Sequence, residues 1–457
     1  MTVIHLLGAA ARSIARLEIV LSIAVLVLFV VVALMRPAHA MDIKTVKSPG
    51  GIEAWLVEDR AVPLVALRFA FGGGSSQDPV GKEGVANFLS AMLDEGAGDL
   101  PSADFQERME DIAMRMSYED GRDTFYGNVE TLSAYRDQAM ALLKLALTKP
   151  RFDADAVERI RGQLQAGLAY ADRDPDRVAS KAWFKTAFPG HPYGREPSGS
   201  SASLAAIGSA DLEAFRKSTF ARDNLKVVAV GDIDAASLGK LLDEVFGDLP
   251  ATAALTPVAE TMPPKGGKLE VVEMDVPQSV AVFGGAGLKR KDPDFIAAFV
   301  LNHILGGGGF SSKLMEEVRE KRGLAYSVYS YLSPLERSAV YLGSVATKNE
   351  EIGQSLDVIR AELTRIATDG PSPQDLDGAK KYLIGSFALR FDTNSKIASQ
   401  LLGLLVEGFD KDYIEKRNGL IEAVTLADIK RAAARFLTAD DLIVTVVGKP
   451  QGLPPRG

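Results

Sequence analysis

The feature that most constrains the fold is an internal duplication of the chain. The segment "PLVALRFAFGGGSSQDP", residues 63–79, matches "PQSVAVFGGAGLKRKDP", residues 277–293, with both outer prolines and the Asp-Pro pair shifted by 214 positions. Further on, "ADLEAFRKSTFARDNLKVVAVGD", which begins at Ala210, matches "ADIKRAAARFLTADDLIVTVVGK", which begins at Ala427, at a shift of 217. The nearly constant offset predicts one ancestral unit that was copied once, so both halves should share one fold.

The order of the predicted elements is also the same in the two halves. Each has an apolar strand, two helices (the first at residues 84–93), further strands, long helices, and an amphipathic helix that leads into a β-branched strand. This order predicts an α+β fold of two tandem homologous domains, each an antiparallel sheet covered by helices. We place the domains at residues 42–250 and 269–450, joined by a Pro- and Gly-rich linker at residues 251–268.

The first forty residues are typical of a secretory signal. Arg12 and Arg16 precede a 17-residue apolar run, and the following "RPAHA" has the small-x-small pattern before a cleavage site. This pattern predicts a signal peptide at residues 1–40 and a periplasmic mature protein. An uncleaved N-terminal membrane anchor is the alternative, since the run is just shorter than a comfortable span.

Charge and cysteine content exclude several function classes. Residues 1–40 carry a net charge of +2, so the whole-chain net charge of −8 becomes −10 for the mature chain. Nucleic acid and acidic membrane surfaces are therefore not expected as partners, because both need a clustered positive field. The chain has no cysteine, which excludes disulfides, thiolate catalysis and cysteine metal sites.

Histidine is too scarce for an ordinary catalytic zinc site. The predicted mature chain contains only His191 and His303, which are 112 positions apart, whereas a helical two-histidine motif needs them about four residues apart. His191 lies in a Gly/Pro-rich turn and His303 in an apolar helix. We interpret both as structural residues, and we expect no metal or other cofactor to be bound by this chain.

Three stretches resemble one family of enzymes. The stretch "LGGGGFSSKLMEEVREKRGLAYSVYS", the "HPYG" turn and the "NLKVVAVGD" strand, together with the duplication, resemble the pitrilysin-like (insulinase-type) zinc metallopeptidases. In that family the first half carries the zinc motif HxxEH on a helix, and a glutamate about 76 residues later completes the ligands. The resemblance extends over nearly the whole predicted mature chain.

The zinc motif itself is missing. Alignment of "GVANFLSAM" with the family pattern puts Asn87, Ser90 and Ala91 at the His, Glu and His positions, and the third ligand falls on Ala166 or Gly167. Amide, hydroxyl and methyl groups cannot form a tetrahedral zinc site, and Ser90 cannot act as general base for a metal-bound water. The resemblance therefore implies a chain that cannot hydrolyse peptides by the family's route.

The second half retains a pair of residues that the family uses on substrate. The resemblance implies that Tyr326 donates a hydrogen bond to the oxyanion of the tetrahedral intermediate and that Arg319 binds a substrate carbonyl. Structural roles are the alternative, since a cation near a helix C-terminus and an aromatic residue opening a strand are both favourable without any function. The Gly306–Gly309 run is interpreted as a turn between two helices, and the resemblance implies that such loops can contact substrate.

Two functions follow from these residues. The first is a non-catalytic subunit of a heterodimeric zinc metallopeptidase, which supplies Arg319 and Tyr326 while a homologous HxxEH-containing subunit holds the zinc and both bind peptide substrates. The second is a peptide-binding or structural scaffold with no role in hydrolysis. An autonomous hydrolase is not expected, because no nucleophile, base and metal set is found in the sequence.

Overall fold

The computed structural model describes residues 41–453, so the predicted signal at residues 1–40 lies outside the described residues. Within this range the chain forms a six-stranded sheet, a five-stranded sheet and a two-stranded ribbon. In spatial order, the strands of the first sheet are β1 (Lys44–Lys47), β2 (Glu53–Glu58), β8 (Leu225–Gly231), β3 (Leu64–Gly72), β7 (Thr124–Leu132) and β6 (Arg115–Asp120). Those of the second sheet are β11 (Ser327–Pro334), β12 (Ala339–Lys348), β10 (Gln278–Ala286), β13 (Ile443–Gly448) and β9 (Lys268–Glu273). The ribbon consists of β4 (Gly96–Ala97) and β5 (Leu100–Pro101).

The two sheets have the same strand order, which confirms the two tandem homologous α+β domains. Read from its edge, the first sheet runs β6, β7, β3, β8, β2, and the second runs β11, β12, β10, β13, β9. Neighbouring strands are antiparallel except for β2 with β8 and β9 with β13, which are parallel. The parallel pair arises because the last strand of each half, β8 or β13, returns through a helical connection to lie beside an early strand of the same half, β2 or β9.

One cross-strand pair is repeated in both sheets. Phe69 of β3 lies opposite Gly127 of β7, and Phe283 of β10 lies opposite Gly343 of β12. A Cβ atom on Gly127 would lie 2.0 Å from the Phe69 ring, and one on Gly343 would lie 2.3 Å from the Phe283 ring. Each ring therefore covers a glycine, and the same large-small packing supports both copies of the fold.

Helices pack on both sheets. In chain order they are α1 (Val85–Ser90), α2 (Ser102–Asp111), α3 (Arg136–Thr148), α4 (Ala154–Ala171), α5 (Pro175–Ala187), α6 (Ser201–Ala206), α7 (Ser209–Thr219), α8 (Ala235–Phe246), α9 (Phe295–Asn302), α10 (Ile352–Asp369), α11 (Pro373–Gly385), α12 (Asn394–Val406), α13 (Tyr413–Glu422) and α14 (Leu426–Phe436). The first helix is shorter than the predicted residues 84–93. None of the helices in residues 41–453 combines the length and the hydropathy needed to cross a bilayer.

Each half also lends one helix to the other half's sheet. Helix α5 of the first half packs on β10 and β13, where buried Trp183 donates its indole N–H to the Ile443 carbonyl at 3.0 Å. Helix α12 of the second half packs on β3 and β8, where buried Arg68 contacts the Ser399 hydroxyl at 3.4 Å and pairs with Glu130 at 2.5 Å. This exchange ties the two halves together, and no pattern in the sequence indicated it.

Candidate functional site

The helix that carries the altered zinc positions is held at its start by Asp78. One carboxyl oxygen accepts the Gly84 N–H at 2.7 Å and the other accepts the Ala86 N–H at 3.0 Å, so a buried side chain satisfies two free donors of α1. Burial raises the pKa of Asp78 to about 7, and nearby Asp120 adds to the shift, although the two N–H bonds oppose it. Asp78 therefore has a structural role.

Asn87 and Ser90 use their polar groups inside the protein. The Asn87 amide donates to a carboxylate oxygen of Asp120 at 2.8 Å, and the Ser90 hydroxyl donates to the Asn87 carbonyl at 2.7 Å. Burial raises the pKa of Asp120, while the hydrogen bond from Asn87 opposes that rise. The Ala91 methyl group packs against the core of the first half. The side chain at the family's first zinc-ligand position, Asn87, therefore stabilises a partly buried carboxylate.

The position of the family's third zinc ligand is equally unsuited to zinc in this chain. Ala166 and Gly167 lie exposed on α4 and offer no donor side chain. Between residues 41 and 453, no three His, Cys, Asp or Glu side chains are placed so that they could hold a metal ion. The amide, hydroxyl and methyl groups at residues 87, 90 and 91 do not fit the four-coordinate N, O or S environment that zinc requires.

The two described histidines both make structural contacts. In His191 one ring nitrogen lies 3.0 Å from the Ala259 carbonyl and the other accepts the Tyr193 N–H at 3.1 Å. The His303 ring stacks on Tyr382, with ring centroids 4.9 Å apart, and burial lowers its pKa. These contacts agree with the interpretation of both residues as structural.

Arg319 and Tyr326, seven positions apart, are brought into contact. Arg319 lies on a π-helical turn, Met315–Glu320. Gly323, three positions after its end, adopts the left-handed conformation with a φ of 63°. The Arg319 guanidinium lies 5.1 Å from the Tyr326 ring centroid and 4.7 Å from that of Phe310. Tyr326 is 79% exposed and Phe310 is 66% exposed. We call these three residues the Arg319 clamp.

The guanidinium of the Arg319 clamp has no acidic partner within the described part of the chain. The neighbouring acids are already paired, since Glu316 contacts Lys321 at 2.8 Å and Glu317 contacts Lys321 and Arg322, each at 2.6 Å. The two rings fix the plane of the guanidinium without using its N–H donors. The arrangement can therefore accept a carbonyl or carboxylate oxygen from another molecule.

Phe310 is the site residue that sequence reasoning missed. It lies just after the glycine run, Gly306–Gly309, which we interpreted as a turn between two helices of a kind that, by the resemblance, can contact substrate. Gly306 and Gly307 belong instead to a second π-helical segment, His303–Gly307. The available signal was an aromatic residue in a loop of otherwise small and polar residues. The neighbouring residues in the sequence give such a ring nothing to pack against, which indicates a contact with another part of the chain or with a ligand.

The Arg319 and Tyr326 pair makes no contact with the altered zinc positions of the first half, within the described residues. Over residues 41–453, no hydrogen bond, ion pair or ring contact joins Arg319 or Tyr326 to the altered zinc positions at residues 87, 90 and 91. Beyond Tyr326, strand β11 presents Tyr329 and Tyr331, whose stacked rings lie 6.3 Å apart and are about half exposed. The second half therefore carries an aromatic surface beside the Arg319 clamp.

Comparison with known proteins agrees with this geometry. Residues 55–200 match the model of the insulinase family (peptidase family M16), and residues 206–383 match the model described as the peptidase M16 inactive domain. The chain belongs to the insulinase (M16) peptidase family. A solved M16 inactive domain from Pseudomonas fluorescens superposes with a TM-score of 0.85 and 29% identity, covering 91% of this chain and all of that one.

The similar curated proteins include one that is named as a non-peptidase and others that are named as zinc proteases. A Helicobacter pylori protein named as non-peptidase homolog YmxG is 28% identical over 393 residues, which cover 85% of this chain and 90% of that protein. A Mycobacterium bovis protein named as an uncharacterized zinc protease is 27% identical over 413 residues, which cover 88% and 92%. The comparisons, like the altered zinc positions, are consistent with a non-catalytic member of the family.

Proposed function

We propose that this chain is the non-catalytic subunit of a heterodimeric zinc metallopeptidase in the periplasm. A homologous subunit with an intact HxxEH motif would hold the zinc and the general base. This chain would supply Arg319 to bind a substrate carbonyl and Tyr326 to donate a hydrogen bond to the oxyanion of the tetrahedral intermediate. Peptides are the substrates on this proposal.

The observation that carries the proposal is the unpaired guanidinium of the Arg319 clamp. An arginine that only stabilises a fold is normally paired with a carboxylate or with backbone carbonyls, whereas this one is held between two exposed rings with its donors available. The Tyr326 hydroxyl likewise lies on a largely exposed side chain next to it. Such donors become useful when another molecule brings a carbonyl oxygen within hydrogen-bond distance.

Two further facts support a division of work between subunits. The groups missing from the first half, two imidazoles and two carboxylates, are those that an HxxEH-containing homologue would provide. A Lentinula edodes relative, 22% identical over 399 residues, is named as the beta subunit of mitochondrial-processing peptidase, so its name describes one subunit of a larger enzyme.

The decisive experiment is to co-express this chain with a secreted HxxEH homologue from its native source and to assay peptide cleavage. Changing Tyr326→Phe removes only the hydroxyl, so we expect kcat to fall about tenfold or more with little change in KM. Tyr170→Phe is the matched control, because Tyr170 is 82% exposed on α4 and should leave kcat unchanged. Metal analysis of the complex should find its zinc in the partner.

Three outcomes would contradict the proposal. Chelator-sensitive cleavage by this chain alone would show that it needs no partner's zinc. Full activity of the Tyr326→Phe complex would remove the role of the hydroxyl. Full activity of the partner without this chain would favour the peptide-binding or structural scaffold instead.

A further inference from the structure

A second candidate site lies in the second half. A cavity of about 370 Å³ opens between α9, α12, α13 and strand β11. Six aromatic rings line it: Phe295, Phe299, Tyr331, Phe387, Phe391 and Tyr413. This volume is near the lower end of the roughly 300 to 1,000 Å³ typical of small-molecule sites, and an aromatic lining favours an apolar ligand.

The charges in this cavity do not balance. Arg290, Arg390 and Arg417 line it together with a single acid, Glu407. Glu407 is paired with Arg290 at 2.8 Å, and the Arg290 guanidinium also contacts the Tyr413 hydroxyl at 3.1 Å. Two guanidinium groups are therefore left without a carboxylate from the described residues.

Arg417 is the more informative of these two. Its residue is only 7% exposed, and its guanidinium lies 4.0 Å from the Phe387 ring centroid. It donates to the Leu383 carbonyl at 3.2 Å and to the Asn418 side chain at 3.0 Å, and both of these acceptors are neutral. Burial lowers the pKa of Arg417, and repulsion from Arg390 and Arg290 acts in the same direction.

A buried guanidinium without a counter-charge is costly, and an anion that arrives with a ligand removes that cost. Arg390 lines the same cavity, is exposed on its rim, and makes no ion pair in the described part of the chain. The aromatic rings that line the same cavity offer an apolar environment beside these two cations. A carboxylate with an apolar body matches both features at once.

We infer that this cavity binds a small amphipathic carboxylate, with its apolar body among the aromatic rings and its carboxylate between Arg390 and Arg417. The C-terminal residue of a peptide and a free acid of the same size share this chemistry. The inference does not depend on the proposed peptidase role, because it involves neither the Arg319 clamp nor a partner's zinc.

Calorimetric titration of the isolated chain tests this inference with two probes that differ in charge alone. N-acetyl-L-phenylalanine should bind, and N-acetyl-L-phenylalanine amide, which lacks the negative charge, should bind at least tenfold more weakly. Two further probes distinguish the sources: tighter binding of acetyl-Gly-Gly-Phe indicates a peptide C-terminus, and tighter binding of 3-phenylpropionate indicates a free acid.

Arg390→Gln should weaken binding of the acid about tenfold and should not affect folding, because Arg390 is exposed and unpaired. Arg60→Gln, at another exposed arginine, is the control and should leave binding unchanged. Arg417→Lys tests the buried cation, provided that the variant keeps its thermal midpoint. Any of three results would overturn the inference. They are equal binding of N-acetyl-L-phenylalanine and its amide, an unchanged affinity for the acid in Arg390→Gln, and no binding of any of the three acids at millimolar concentration.

Discussion

The former zinc helix of the first half and the Arg319 clamp of the second half use their polar groups in opposite ways. Around α1, Asp78, Asn87 and Ser90 direct their hydrogen bonds to backbone or side-chain partners within the same half. In the clamp, the side-chain polar groups of partly exposed Arg319 and largely exposed Tyr326 make no hydrogen bond or ion pair with any residue from 41 to 453. The difference teaches that the region without metal ligands has its polar groups satisfied within the fold, whereas the clamp keeps hydrogen-bond donors that the described residues do not use.

The largest effect on the free energy of unfolding should come from removing the Asp78 side chain that caps α1. Asp78→Ala removes two hydrogen bonds to buried N–H groups, so we expect the free energy of unfolding at pH 5 to fall by about 2 to 3 kcal/mol. Urea unfolding followed by circular dichroism measures it. Asp111→Ala, at an exposed aspartate at the end of α2, is the control and should change stability by less than about 0.5 kcal/mol. Equal losses in the two variants would contradict a structural role for Asp78.

The contribution of Asp78 should also depend on pH. Its folded pKa of about 7 lies above the ordinary value of 3.8, so the folded protein binds a proton that the unfolded chain releases. The stabilisation is therefore complete below pH 4 and is lost as the pH rises towards 7, by about 1.4 kcal/mol per pH unit. The difference in unfolding free energy between wild type and Asp78→Ala should narrow over this range. A difference that widens with pH would show that the pKa is lowered instead.

A smaller loss is expected at the first altered zinc position. Asn87→Ala leaves the partly buried Asp120 carboxylate without its amide donor, which should cost about 1 to 2 kcal/mol. The pKa of Asp120, followed by carboxyl NMR, should rise further in this variant. Asn128→Ala is a suitable control, because the Asn128 amide makes only a long 3.5 Å contact with Ser117. If neither the free energy of unfolding nor the pKa of Asp120 changes in Asn87→Ala, then Asn87 does not stabilise the first half.

The smallest effect on stability should come from the clamp. Arg319→Gln removes only exposed cation–π contacts, and Tyr326→Phe removes a hydroxyl that makes no hydrogen bond within residues 41–453, so the free energy of unfolding should fall by no more than about 1 kcal/mol. Thermal unfolding of each variant measures this. A loss of 2 kcal/mol or more would mean that the pair supports the fold and would weaken its proposed role in substrate binding.

Much of the fold could be predicted because duplication is visible in the linear chain. The matching segments at residues 63–79 and 277–293 became β3 and β10, and the repeated order of elements became two sheets with one strand order. The resemblance also selected Arg319 and Tyr326 as a pair, although it did not predict that their side chains are in contact. These features depend on residues that are close in sequence or that repeat at a fixed offset.

The sequence by itself therefore determined the repeated α+β architecture and the absence of zinc-binding side chains at residues 87, 90 and 91. Only the tertiary structure decided that α5 and α12 exchange sheets, that Phe310 completes the Arg319 clamp, and that Arg417 lies buried among aromatic rings. The physical reason is that the helix exchange and the burial of Arg417 join residues far apart in the chain, and local periodicity specifies which face of an element is apolar but not which surface covers it. The contact between Phe310 and Arg319, only nine positions apart, depends instead on the π-helical conformation of this segment, which no sequence pattern specified.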